Sequence, residues 1–390
     1  MAMLKKIREV TVRELQRIFR NPLYIASTVG VMTMLYVFFF TFLDEGTPHN
    51  LPIGIVDYDN STISRRLIRE VNTTPYAEIK HQYYTFAEAR DAMQRGEIYA
   101  FMVIPDRFYA DILAFKQPKI SYYMNQAYIL GASLTMKELT TMANLAPAAV
   151  QREMLRARGY NDNTIMGLIQ PIVLDSHLIG NPFINYPTYL LTTVLPGLLG
   201  LIILLTTTYS IGTELKSKTS RQWLKAGGKS YFAALVGKMF PFTILYLILD
   251  LIGIILMFIV FKFPMEGNLT FYMFGSFIYI ITMQCIGLFI IGLIPVISTA
   301  ISLSVLYGIL AITLSGFSFP LDYMPPAIQG LSILFPLRSF YLFTTETSLL
   351  GLPVTQTFKY LFRIAVFMLL PLFTTKRLHK ALIYLNYPAV

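Results

Sequence analysis

Six apolar stretches constrain this chain more than any other feature: residues 23–43, 189–211, 240–261, 271–294, 296–317 and, shorter, 360–373. A helix needs about 20 mostly apolar residues to cross a bilayer. Inside it, every backbone donor and acceptor must be paired within the segment, which selects helices. The composition points the same way, with 55% hydrophobic and 14% charged residues, against about 25% charged in an ordinary soluble domain. That leaves too little polar surface for a water-soluble globule and excludes an intrinsically disordered chain. The first stretch does not read as a cleaved signal: its charged leader is too long, as is its apolar run, and no small-x-small site follows.

Placement of Lys and Arg sets the expected orientation. Residues 1–21 carry Lys5, Lys6, Arg8, Arg13, Arg17 and Arg20, and residues 212–239 carry Lys216, Lys218, Arg221, Lys225, Lys229 and Lys238. The tail adds Lys376, Arg377 and Lys380, whereas the links 262–270 and 318–358 are nearly free of basic residues. Both termini and the 212–239 loop are therefore expected on the cytoplasmic side. The net charge of +10 becomes a property of that face, suited to anionic lipid or a protein partner and not to nucleic acid. The expected fold is a polytopic α-helical membrane protein with six transmembrane helices, cytoplasmic termini and an α/β extracytoplasmic domain after helix 1. Its divisions are an interfacial amphipathic helix (1–22), the first transmembrane helix (23–43), the external domain (44–186) and helices 2–6 (187–390). The last division includes a cytoplasmic coupling loop (212–239) and an outer re-entrant hairpin (318–345), the latter because Pro325, Pro326 and Pro336 break an apolar stretch.

The α/β reading of 44–186 rests on alternation. Strands are expected at 52–58, 79–84, 98–104 and 120–124, and helices at 61–71, 86–95, 107–115 and 127–158. In the leader, Val10, Leu15, Ile18 and Phe19 are expected largely on one side of a helix lying in the membrane interface.

Few residues suggest chemistry. Cys285 is the lone cysteine and no His lies in an apolar run, so neither a disulfide nor an intramembrane His-ligated metal is expected. Gly227-Gly228-Lys229-Ser230 lacks the first glycine of a phosphate loop, Trp223 standing there, and reads as a turn. The run from Ile53 to Ser61 places Asp57 and Asp59 after an apolar strand, as in haloacid-dehalogenase-type phosphatases. Helix capping at a strand-to-helix junction also explains it, and a calcium loop would need Gly and Glu where Thr62 and Ile68 stand. Asp250 falls within an apolar span, where a carboxylate is unfavourable by about 2.5–3.5 kcal/mol. It either lines a route or a subunit seam, or is protonated and bonds a neighbouring helix; Thr206, Thr207 and Gln284 are weaker candidates of the same kind.

Landmarks in order along the chain resemble the permeases of the ABC (ATP-binding cassette) type-2 exporter family, in the subgroup with a large external domain. They are Arg13-Glu14-Leu15 with Arg20-Asn21-Pro22, Ile55-Val56-Asp57-Tyr58-Asp59 with Ser61, and Gly180-Asn181-Pro182 followed by Pro196-Gly197. Gly237-Lys238 with Pro241, and Ser315-Gly316-Phe317 with Phe319-Pro320 and Met324-Pro325, complete the series. In the family's Glu-Arg-Glu-x-Gly-Thr run, Glu214 and Thr219 align, but Lys218 occupies the glycine position, and Lys216 and Arg221 make the stretch basic. The resemblance implies a transport subunit without catalytic residues, metal or cofactor of its own, ATP and Mg being held by cytoplasmic ABC ATPase subunits. It further implies a second permease copy, identical or different, contact with membrane lipid, a periplasmic adaptor as a further partner, and a multi-pass place in a bacterial inner membrane. The ATPase-coupling residues it suggests are Arg13, Glu14, Arg17, Glu214, Lys218, Thr219, Arg221 and Trp223, and the substrate-path candidates Asp250, Thr206, Thr207 and Gln284. The implied cargo is amphipathic or lipid-like and moves outward. The alternatives are a receptor or scaffold with a ligand-binding external domain, and a membrane-bound phosphoester hydrolase using Asp57 and Asp59.

Overall fold

In the computed structural model the chain divides into two units, Thr47–Ser176 and a second made of Met1–Gly46 with His177–Val390. The structure describes residues 2–384 except 45, 115, 158, 170–178, 183–184 and 229. The expected helix ends at Phe115 and Arg158, and Lys229 of the Gly-Gly-Lys-Ser run, thus lie outside the described residues.

The chain opens with helix α1 (Ala2–Arg20). Its buried stripe is Val10, Glu14 and Ile18, a four-residue spacing that keeps side chains on one line of the helix. Leu15 and Phe19, expected beside them, are exposed instead, because packing selects the line that carries the carboxylate. Asn21 then caps α2 (Pro22–Phe42), accepting from the Leu23 N–H at 3.1 Å, with Pro22 in the first helical turn. That pair breaks the helix cleanly, since proline lacks a donor only where none is needed.

The unit Thr47–Ser176 is an α/β layer structure. Its elements are β1 (Leu51–Asp57), α3 (Thr62–Val71), β2 (Ala77–Tyr83), α4 (Phe86–Gln94), β3 (Ala100–Ile104), α5 (Phe108–Leu113), β4 (Ser121–Met124), α6 (Ile129–Ala157) and α7 (Asp162–Ile169). The sheet order is β2-β1-β3-β4; β1 runs parallel to both neighbours and β4 antiparallel to β3. Because β1 is covered on both faces it reads as a continuous apolar run. Ile53 and Ile55 pack with Leu67, Val71 and Leu139 on one side, and Val56 packs with Ala89 and Ala92 on the other.

Asp57 and Asp59 act locally. Asp57 accepts from the N–H groups of Asp59 and Asn60 at 3.0 and 3.1 Å and from the Ser64 hydroxyl at 2.7 Å. Asp59 accepts from the Tyr109 N–H at 3.2 Å. Ser61 caps α3 by accepting from the Ser64 N–H at 3.1 Å. These contacts fix the strand-to-helix turn at the end of β1.

In the other unit, α8 (Tyr186–Lys216), α9 (Ser220–Ala226), α10 (Tyr231–Val260), α11 (Leu269–Leu293) and α12 (Ile297–Thr313) follow one another. Then come α13 (Pro326–Ser332), α14 (Pro336–Thr344) and α15 (Val354–Tyr384). Among the described residues five helices are long and apolar enough to span a membrane, namely α2, α8, α10, α11 and α15. The stretch expected at 296–317 yields only the 17 residues of α12, about 25 Å at 1.5 Å per residue. It starts after Pro295 and stops before Gly316, whose φ is +90°. The stretch expected as short at 360–373 is instead part of the 31-residue α15. The proline-broken segment forms two short helices, α13 and α14, beginning at Pro326 and Pro336.

Residues 212–239, expected as the coupling loop, are mainly helical. They comprise the end of α8, all of α9 and the start of α10, joined at Gly227-Gly228 by a turn in which Gly228 has φ +61°.

Candidate coupling site

The leader helix α1 is held against α10 by two features of the α10 sequence. Pro241 has no N–H, so the Gly237 carbonyl one turn back loses its helical donor. The Thr11 hydroxyl of α1 stands 3.1 Å from it as a replacement, shared with the Ile7 carbonyl at 2.9 Å. Gly237 itself has no side chain to keep α1 away: a Cβ there would lie 2.7 Å from Val10 Cβ and 2.8 Å from the Ile7 carbonyl oxygen. Glycine and proline together therefore bring α1 close enough for Lys238 to reach it.

Around that contact lies a buried network of charges. The Lys238 ammonium donates to Glu14 Oε2 at 2.7 Å and to Glu214 Oε1 at 3.2 Å, and all three side chains are fully buried. Arg13 donates to both Glu214 oxygens, at 2.8 and 3.1 Å. Arg17 donates to Glu214 as well, and to the Thr213 hydroxyl at 2.7 Å. Ser210 donates to Glu14 Oε1 at 3.1 Å, while Thr219 donates to Glu214. The Tyr24 and Thr213 hydroxyls lie 3.2 Å apart. Three cations thus share two carboxylates, drawn from α1, the end of α8 and the start of α10. Burial opposes the charge on Arg13, but its bonds to Glu214 outweigh that and raise its pKa above the ordinary value.

A second set of contacts extends the site. Trp223 is buried in α9; its indole N–H donates to the Ala234 carbonyl at 3.1 Å, and the Lys238 ammonium sits 5.1 Å from its ring. Ser220 and Arg221 tie α9 to the end of α15, donating to the carbonyls of Leu382 (2.6 Å) and Ile383 (2.8 and 3.0 Å). Lys218 turns the chain between α8 and α9 with φ +57°. That left-handed conformation costs a non-glycine residue about 1–2 kcal/mol, and it is the kind of position at which the resembled pattern carries glycine.

The eight expected coupling residues accordingly fall into two groups. Glu14, Glu214 and Trp223 are internal and offer no surface for a partner to touch, because charges this close to an apolar bundle are stable only when paired inside it. Lys218 and Arg221 are exposed, and Arg13, Arg17 and Thr219 are half-buried. Lys238, the hub of the network, was read in the sequence as a basic loop residue and as part of the Gly237-Lys238 landmark, and not as a site residue; Ser210, Thr213, Tyr24 and Thr11 gave no signal. The Gly237-Lys238 and Pro241 landmark is a clue that the lysine sits in a helix packed against the leader.

The substrate-path candidates do not form one cluster. Gln284 accepts from the Thr243 hydroxyl at 2.8 Å and donates to the Met239 carbonyl at 3.4 Å, linking α11 to α10. Thr206 and Thr207 are buried, Thr207 packing on Gly287. Asp250 stands apart, in a small cleft with Met32, Tyr36 and Pro196.

The model of the ABC-2 family transporter protein matches residues 23–374. The chain belongs to that family. Comparison with curated proteins gives no match. As an ABC-2 protein it is a multi-pass, membrane-embedded permease subunit of an ABC transporter, a transport subunit whose family implies an ATP-binding cassette partner. The charge network lies at the leader helix and at the junctions of α8, α9 and α10, and not among the apolar middles of the spans.

Proposed function

We propose that this ABC-2 permease exports an amphipathic or lipid-like molecule, driven by a separate cytoplasmic ATPase, and that the Glu14–Lys238–Glu214 network is its coupling element. The observation that carries this reading is the burial of three mutually bonded charges at the meeting of α1, α8 and α10. Each ion costs several kcal/mol to remove from water unless its partners stay in place. Movement of α1 against α8 and α10 therefore switches between discrete arrangements instead of sliding through intermediate ones, as alternating access requires. An ATPase docked on this face meets the exposed Lys218, Arg221 and Lys225, and α9 passes its displacement to the buried charges through Thr219 and Trp223.

In this reading six helices span the membrane, α12 included, with both termini and α9 on the cytoplasmic side and Thr47–Ser176 outside. Two copies form the route, and α13 and α14 make the outer re-entrant hairpin. The test is co-expression with candidate ABC ATPase subunits from the same genome. Reversing Lys218 and Lys225 to Glu should reduce co-purification. Glu214→Gln should preserve co-purification while separating ATP hydrolysis from transport. Absence of any ATPase on the wild-type protein, or full transport in Glu214→Gln, refutes the proposal.

A further inference from the structure

On the half of the spans away from the charge network, α2 and α10 part to leave a groove of about 420 Å³, within the usual size of small-molecule sites, lined by Thr33, Tyr36, Phe40, Asp44, Leu249 and Phe261. Behind it lies the second, much smaller cleft, with Met32, Tyr36, Leu195, Pro196, Asp250 and Met257 on its walls. Tyr36 lines both. Its hydroxyl donates to the Leu249 carbonyl at 2.7 Å, and its ring is wedged against Gly253, where a Cβ would lie only 2.6 Å from the hydroxyl oxygen. Only a glycine at 253 leaves room for this ring between the two spaces. The inner cleft holds about 10 Å³, no more than one water.

The chemistry of the walls is one-sided. Each space contains a carboxylate, Asp44 in the groove and Asp250 in the cleft, and neither is lined by Lys or Arg. Among the described residues no cation pairs with Asp250; the polar groups around it are the hydroxyls of Ser276, Tyr36, Tyr272 and Tyr279. Tyr36, Phe40 and Phe261 present aromatic rings to the groove, and such rings attract cations through their π faces. An apolar body with a positive charge suits this combination, and an anion of the same shape does not.

We infer that the α2–α10 groove is a lateral binding site for a lipophilic organic cation, with Asp250 as its charge anchor and Tyr36 as the gate between groove and anchor. The inference rests on the permease reading, and it narrows the cargo to amphipathic molecules that carry a positive charge. The apolar part enters between α2 and α10 from the membrane. Its charge reaches Asp250 when the Tyr36 ring swings off Gly253 and releases the Leu249 carbonyl.

Tetraphenylphosphonium and tetraphenylborate test this directly, being alike in size and opposite in charge. Equilibrium binding of each is measured on the purified full-length permease in lipid nanodiscs, with empty nanodiscs as the blank. Tetraphenylphosphonium should bind the protein above the blank and tetraphenylborate should not. Asp250→Asn should weaken phosphonium binding by about ten-fold, equivalent to about 1.4 kcal/mol, and Asp250→Glu should restore most of it. Val37→Trp, which fills the groove and leaves the carboxylate in place, should weaken it too, and it carries the test if Asp250→Asn does not fold. Equal binding of the two ions, no phosphonium binding, or unchanged phosphonium binding in Asp250→Asn and Val37→Trp overturns the inference. The measurement needs neither nucleotide nor partner, so its failure leaves the co-purification test of the permease reading untouched.

Discussion

Replacing Lys238 by Met tests whether the charge network is a closed, mutually dependent unit. At the effective dielectric that best describes protein sites, about 20, a unit charge pair at 2.7 Å attracts by about 6 kcal/mol and one at 3.2 Å by about 5 kcal/mol. Those are the separations of the Lys238 ammonium from Glu14 and Glu214. Most of this attraction offsets the desolvation of the lysine itself, so the net loss is smaller than the sum. What remains is the carboxylate stranded by the change. Glu214 keeps Arg13, Arg17 and Thr219, but Glu14 keeps only the Ser210 hydroxyl and Arg13 at 3.9 Å. Breaking a buried pair in this way costs about 3–5 kcal/mol. Glu14→Gln in the same molecule removes the stranded charge, so the double variant should regain at least about 2 kcal/mol relative to the sum of the single changes, the signature of coupled residues. Trp223 is the chain's only tryptophan, and it lies against Lys238, so its emission during urea titration of the detergent-solubilised protein reports on this site. A loss below about 1 kcal/mol for Lys238→Met, or strict additivity with Glu14→Gln, would show that the charges act independently and would refute the reasoning.

Two further outcomes follow from particular contacts. Thr11→Val should lower stability by about 1–3 kcal/mol, because it leaves the buried Gly237 carbonyl without a donor, and Pro241→Ala should suppress much of that loss by restoring a helical N–H; the same urea titration reads both. Ser61→Ala removes the α3 cap and should cost the Thr47–Ser176 unit about 1 kcal/mol, seen as faster amide exchange in the first turn of Thr62–Val71 with little change in α8.

The sheet unit was almost fully legible in the sequence, for a local reason. Strand and helix signals alternate within short windows, so the strands expected at 52–58, 79–84, 98–104 and 120–124 correspond to Leu51–Asp57, Ala77–Tyr83, Ala100–Ile104 and Ser121–Met124. Asp57 and Ser61 are likewise explained by neighbours no more than seven residues away. The apolar runs of the spans were legible too, but not their ends. Hydropathy marks where a helix could meet lipid, whereas caps and packing decide where it stops. Ser230 therefore starts α10 well before residue 240, and Thr213, Glu214 and Lys216 are still helical.

The role of Lys238 was hidden from the sequence because the contacts that bury it come from distant parts of the chain. Its partner Glu14 lies 224 residues away and Glu214 lies 24 away, so no local window holds the pair. A sign was nevertheless present in the leader. On a helix whose apolar line runs through Val10 and Ile18, the residue midway is Glu14, and a carboxylate there must find a cation or leave the interface. The lysine that answers it stands beside Gly237, whose missing side chain admits α1, and near Pro241, whose missing N–H gives Thr11 a carbonyl to bond. Apolar side chains at these positions would hold the helices together about as well. They would also allow α1 to slide along α10 by small steps, because apolar contact has no fixed register. A lysine shared between two carboxylates on different helices permits no such slippage, since each small displacement exposes a charge to apolar surroundings before another partner is within reach. That requirement, not added stability, is what distinguishes an ionic joint from an apolar one at this position in an ABC-2 permease.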